Sequence, residues 1–154
     1  MKDLITGALP DKPSDLLILA LADLAKAESD PTYDIHMGEW HVPFRRRLKD
    51  KPTDRCRKYD HFCSVCFAGA VMAGTLGQEA GRKLIPEHFE PALHDKLQAL
   101  DCFRTGDVSL GLMQLKIDVD QWTGYDKAVP YYDSDGEWRK AMNELVLRLQ
   151  ACEL

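Results

Sequence analysis

The sequence predicts a mainly α-helical single domain of 154 residues, packed around a central buried helix at Cys63–Gly77, with room for one short strand pair. Three observations predict it. The run from Cys63 to Gly77 has only Ser64 and Thr75 as polar residues, so a helix there is apolar on nearly every side and must be wrapped by other elements. Its small residues, Ala68, Gly69, Ala70, Ala73 and Gly74, let neighbouring backbones come close. Helix signals then recur at Ser14–Ala27, Pro91–Phe103 and Asp135–Cys152, enough to surround it.

Residues 1–13, with Gly7, Pro10 and Pro13, read as a loose lead-in. Ser14 is a good N-cap for the first helix; Asp15 in its first turn and Lys26 near its end both suit the helix dipole. Ser29-Asp30-Pro31 stops it. Tyr33–His41 alternates weakly and fits a short strand or an ordered loop, with Pro43 as its limit. Residues 44–62 have little apolar content and no clear period, and read as a solvated basic loop.

After the central helix, Pro91 opens a helix carrying Leu93, Leu97, Leu100 and Phe103, and Gly106 closes it. Asp107 caps a further short helix with Val108, Leu110, Leu112, Met113 and Leu115; Gly111 within it costs up to about 1 kcal/mol relative to Ala. Asp118–Asp135 mixes acids with Trp122, Tyr125, Tyr131 and Tyr132, a loop with half-exposed rings. The last helix has a one-face pattern at Trp138, Met142, Leu145, Leu149 and Cys152.

Composition is that of an ordinary globular chain. The Cys63–Gly77 run is too short for a membrane span, which needs roughly 20 residues. No signal peptide is visible, since Pro10 interrupts the N-terminus before any long apolar run. Five cysteines are not spaced as a secreted disulfide framework. The expectation is a cytoplasmic protein with reduced thiols and no membrane partner.

The net charge of −5 conceals a division. Arg45, Arg46, Arg47, Lys49, Lys51, Arg55, Arg57 and Lys58 face only Asp50 and Asp54, so this segment carries +6. The remainder has twelve basic and twenty-three acidic residues, or −11. Such a division steers an anionic partner towards one segment, or folds that segment against the chain's own acidic surface. With Phe44, Tyr59 and Phe62 nearby, the arginines pair guanidinium forks with stacking rings, which suits a nucleotide, RNA or an acidic protein surface. The pI near 5.5 is unlike the strongly basic footprint of nucleic-acid binders. Trp122, Tyr125 and Tyr131 are suited to anchor a protein interface.

Two chemical alternatives exist. Cys63, read at a helix start with His41 or His61 as base, matches the way thiol enzymes stabilise a thiolate. Cys56, His61, Cys63 and Cys66 are four soft ligands within eleven residues, a set that zinc accepts, although the second Cys-x-x-Cys knuckle of the usual pattern is missing. Neither is the favoured reading: no catalytic set and no cofactor is assigned, and buried cysteines are commonly small hydrophobes. Asp118, Asp120 and Asp126 do not follow the calcium-loop spacing. No phosphate-binding Gly-x-x-x-x-Gly-Lys, no Gly-x-Ser-x-Gly and no His-Glu-x-x-His occurs.

Three segments in fixed order carry a resemblance: Leu19-Ala-Leu-Ala-Asp-Leu24, Asp34-Ile-His-Met-Gly-Glu-Trp-His41 and Cys63-Ser-Val-Cys-Phe-Ala-Gly-Ala-Val-Met-Ala73. Together they resemble a group of small uncharacterised proteins encoded by tailed bacteriophages and prophages, over about residues 14–77. The resemblance implies an origin and carries over no functional residue. Small phage proteins of this size act inside the host cell by binding, as inhibitors or sequestering proteins. The expectation is therefore a binding protein whose partner is a host protein or an anionic ligand such as a nucleotide or RNA.

Overall fold

A computed structural model describes residues 3–36, 40–45, 61–79, 83–123 and 137–154. Within them the chain is mainly helical, with five α-helices and a three-stranded sheet: α1 (Pro13–Ser29), β1 (Tyr33–Ile35), β2 (His41–Arg45), β3 (His61–Val65), α2 (Phe67–Ala73), α3 (Pro91–Thr105), α4 (Val108–Gln114) and α5 (Glu137–Ala151). No described helix is long and apolar enough to cross a membrane.

α1 begins one residue ahead of Ser14. Pro13 takes the first helical position, where its missing N–H costs nothing, and Lys12 is the cap. The buried stripe of α1 runs through Leu16, Leu17, Ala20, Leu24 and Ala27, and it includes one acid, Asp23. Asp30 then ends the helix and turns the chain. Its Oδ1 accepts from the Thr32 amide at 2.9 Å and from the Thr32 hydroxyl at 2.7 Å. The Asp30 carbonyl accepts the Tyr33 amide, which launches β1.

The central run departs from the expected helix. Residues 61–65 form β3, the middle strand of a sheet in the order β1-β3-β2, and the helix starts only at Phe67. β3 pairs parallel to β1, with Tyr33 beside Cys63, and antiparallel to β2, with Pro43 beside Cys63. A strand buried on both faces, as Cys63, Ser64 and Val65 are, reads as a continuous apolar run, the same signal that a buried helix sends. β2 lies at the sheet edge. The Cys63 amide donates to the Thr32 carbonyl on the β1 side, so Pro43 opposite it turns its donorless nitrogen outward. At His41 the same edge is closed by the Leu84 amide, which donates to the His41 carbonyl at 3.0 Å.

α2 is buried from Phe67 to Met72. Gly69 lets it settle on the chain ahead of β2, since a Cβ there would overlap the Trp40 carbonyl. Beyond Gly74, Thr75 donates to the buried Asp23 carboxylate twice, from its hydroxyl at 2.6 Å and its amide at 3.2 Å. That pair joins the end of α2 to the buried stripe of α1.

α3 follows the expected bounds. Pro91 starts it and Gly106, in the left-handed conformation at φ 87°, closes it with its amide on the Cys102 and Phe103 carbonyls. Asp107 caps α4 by accepting from the Leu110 amide at 3.2 Å. Gly111, a weak helix former, is where the Phe103 ring packs on α4, so its cost is offset by a close helix contact. α5 buries Trp138, Met142, Leu145 and Leu149 as its period predicts. It lies on α1, where Arg139 meets Glu28 at 2.9 Å, and Trp138 sits edge-on to Phe67 with centroids 5.7 Å apart.

The lead-in, expected to be loose, is tied to the body. Ile5 bridges Phe89, Leu9 is buried, and Lys96 donates to the Leu9 carbonyl at 2.6 Å and to Asp11 at 2.7 Å. The Lys96 hydrogen bond and charge hold the Asp11 carboxyl below its ordinary range.

Candidate functional site

The sheet brings Tyr33, His41 and Cys63 to one face. Side chains opposite each other in a ladder share a face and alternate along each strand, so Tyr33, Ile35, Cys63, Val65, His41 and Pro43 point the same way. Cys63 and His41 have no exposed surface. The Tyr33 and His41 rings meet edge to face across β3, with centroids 6.3 Å apart.

This geometry corrects the premise of the thiol reading. Cys63 is in the middle of a strand, so no helix dipole acts on it as expected, and the ladder sets Pro43 rather than His41 opposite it. Its Sγ points to the Ser64 carbonyl at 3.9 Å. Burial pushes the Cys63 thiol up to about 12. The cysteine at the helix start is Cys66, the N-cap of α2. Burial pushes it up to about 11, against the smaller opposing pull of the Gly69 and Ala68 amides. Desolvation therefore outweighs the helix start at this thiol.

Of the four zinc candidates, Cys63 and Cys66 belong to the core, His61 is placed only as the first residue of β3, and Cys56 lies outside the described residues. Among the described residues no group of three His, Cys, Asp or Glu side chains is placed to hold a metal ion.

The basic segment has a defined point of attachment. Arg45 and His61 are the last pair of the β2–β3 ladder, so residues 46–60 leave and rejoin the fold at adjacent backbone positions. Arg46, Arg47, Lys49, Arg55, Arg57 and Lys58 lie outside the described residues, as do Tyr125 and Tyr131. Trp122 is half-buried against the core, and its neighbour Thr123 meets Cys152, with Oγ1 3.4 Å from Sγ. That hydroxyl contact holds the partly buried Cys152 thiol below its ordinary value.

Sequence reasoning passes over Asp23. Its signal was present: a lone acid on the buried stripe of an otherwise apolar helix, between Ala20 and Ala27. Only the structure gives it a partner fifty-two residues away at Thr75. Comparison with protein-family models, with curated proteins and with solved structures finds no match to this chain.

Proposed function

We propose that this chain is a phage-type binding protein, acting as an inhibitor or sequestering protein, that engages an acidic surface of a host protein through Arg45–Lys58. The carrying observation is the attachment of a +6 segment, between paired strand ends, to a chain that otherwise carries −11. A cationic segment joined to a fixed ladder attracts an anionic surface through long-range charge, while the acidic remainder repels nucleic acid and selects against other anions. Trp122, with Tyr125 and Tyr131, adds the apolar anchoring that charge alone does not supply. The high thiol values of Cys63 and Cys66 count against thiolate catalysis at either residue.

The test is affinity capture from a bacterial lysate with the wild-type chain and with Arg45→Glu, Arg46→Glu, Arg47→Glu combined. The expected result is a defined acidic protein that the wild type retains at low salt and the reversed variant does not. Equal retention by both overturns the reading.

A further inference from the structure

α1 carries apolar side chains on its outer face as well as on its buried stripe. Asp15, Ile18, Ala22, Ala25 and Ser29 recur at helical spacing and are all exposed, with Ile18 44 % open to solvent. Leu19 and Leu21 flank them, partly buried against the core. A helix that is apolar all round is one that other elements cover all round. We propose that a second copy of this chain covers this face, with α1 packing antiparallel on its counterpart across a two-fold axis between Leu21 and Ala22.

Charge complementarity identifies the occupant. Lys26 follows Asp15 by eleven residues, about three helical turns, so both stand on one flank of the stripe. Both are available to a partner. Among the described residues no hydrogen bond or ion pair engages Asp15. The Lys26 Nζ stands 3.8 Å from Asp23 Oδ1, beyond hydrogen-bond range, and its side chain is 77 % exposed.

In an antiparallel pair related by a two-fold axis, like flanks face each other. Asp15 of each copy then meets Lys26 of the other. Their offset along the axis is two residues, about 3 Å, which a lysine side chain spans. The two ion pairs are equivalent, as a self-complementary contact requires. Ile18 falls against Ala25 of the second copy, and the small Ala22 faces itself, so the backbones come close. Parallel packing instead sets Asp15 against Asp15 and Lys26 against Lys26, and like charges oppose it. An unrelated partner has no need of an acid and a base that a two-fold axis exchanges. One helix pair is a small interface, so the dimer is weak and depends on concentration.

Sedimentation equilibrium of the full chain, from low micromolar to about 1 mM, reads the assembly. The expected result is a reversible monomer–dimer equilibrium that Ile18→Glu abolishes while circular dichroism and melting stay those of the wild type. Asp15→Lys sets lysine against lysine in both pairs and is expected to weaken the dimer about three- to tenfold. Adding Lys26→Glu to Asp15→Lys is expected to recover most of that loss. On mild oxidation, Ala22→Cys is expected to cross-link the dimer through the introduced thiol, read by peptide mapping. Asp15→Cys is not, because its two copies stand about 20 Å apart along the helices. A chain that is monomeric at every concentration leaves the face to another occupant and overturns the proposal. So does a dimer indifferent to Ile18→Glu, a charge exchange that recovers nothing, or cross-linking at position 15.

Discussion

The α-carbon of Gly69 stands against the carbonyl oxygen of Trp40, where no side chain has room. This contact sets how closely α2 approaches the chain entering β2. It predicts that Gly69→Ala destabilises the protein, despite the better helix propensity of alanine, by about 2 kcal/mol or more. Urea unfolding midpoints check it. A change within about 0.5 kcal/mol, the ordinary range for a neutral surface site, counts against the packing described.

Thr75 predicts a graded pair. Its hydroxyl donates to Asp23 at 2.6 Å, and Asp23 is buried. Thr75→Val keeps the shape and the amide bond but removes one donor from a buried carboxylate, at a cost of about 1–3 kcal/mol. Thr75→Ser restores most of it. Equal losses for the two variants, measured by thermal or urea unfolding, contradict the role given to the hydroxyl.

The thiols predict a pH dependence with a defined sign. Cys63 and Cys66 are raised to about 12 and about 11 from an ordinary 9.0. Below 9.0 both folded and unfolded states keep these protons, and the contribution is fully present. As pH rises from 9.0 towards 11 and 12 the unfolded chain releases protons that the folded chain retains, so stability falls. The slope reaches at most about 1.4 kcal/mol per pH unit for each thiol. Unfolding free energies measured across this range for wild type and for Cys63→Ala with Cys66→Ala check it; the variant is expected to show the shallower fall.

The same values predict labelling order. Cys152 is only partly buried and held below its ordinary value by Thr123, so iodoacetamide at neutral pH labels it well before the fully buried Cys63 or Cys66. Thr123→Val is expected to slow labelling of Cys152 alone. Peptide mapping by mass spectrometry reads both outcomes.

α5 predicts a contrast between neighbours. Trp138 has no exposed surface and packs on Phe67, so Trp138→Ala is expected to cost about 3–5 kcal/mol. Arg139 pairs with Glu28 and lies 4.4 Å above the Trp138 ring, but it is nearly half exposed. Arg139→Ala is expected to cost no more than about 1 kcal/mol. Similar losses at both positions would show that the ion pair, not the ring, docks this helix.

What was legible in the sequence follows from how local each cause is. Pro91, Gly106 and Asp107 act within one turn of themselves, and the spacing of Trp138, Met142, Leu145 and Leu149 states its own burial, while the start of α1 was read at Ser14, one residue late. Helices α1, α3, α4 and α5 were readable for that reason. β3 was not, because its identity depends on Tyr33–Ile35 and His41–Arg45, strands distant in sequence that pair with it from both sides. The same nonlocal pairing moved the helix start from Cys63 to Phe67, with Cys66 as its cap, and with it the expected thiol chemistry. The role of Asp23 was unreadable because its partner Thr75, and the glycine on which its carboxylate packs, belong to the other helix end.

The most direct test of the central claim, that Arg45–Lys58 is the contact surface, is calorimetric titration of the captured partner across a series of salt concentrations. Charge-driven contact predicts that Kd weakens about tenfold or more from low to high salt, and that reversal of Arg45, Arg46 and Arg47 removes both the binding and the salt dependence. A Kd that is indifferent to salt and to the reversal would contradict it.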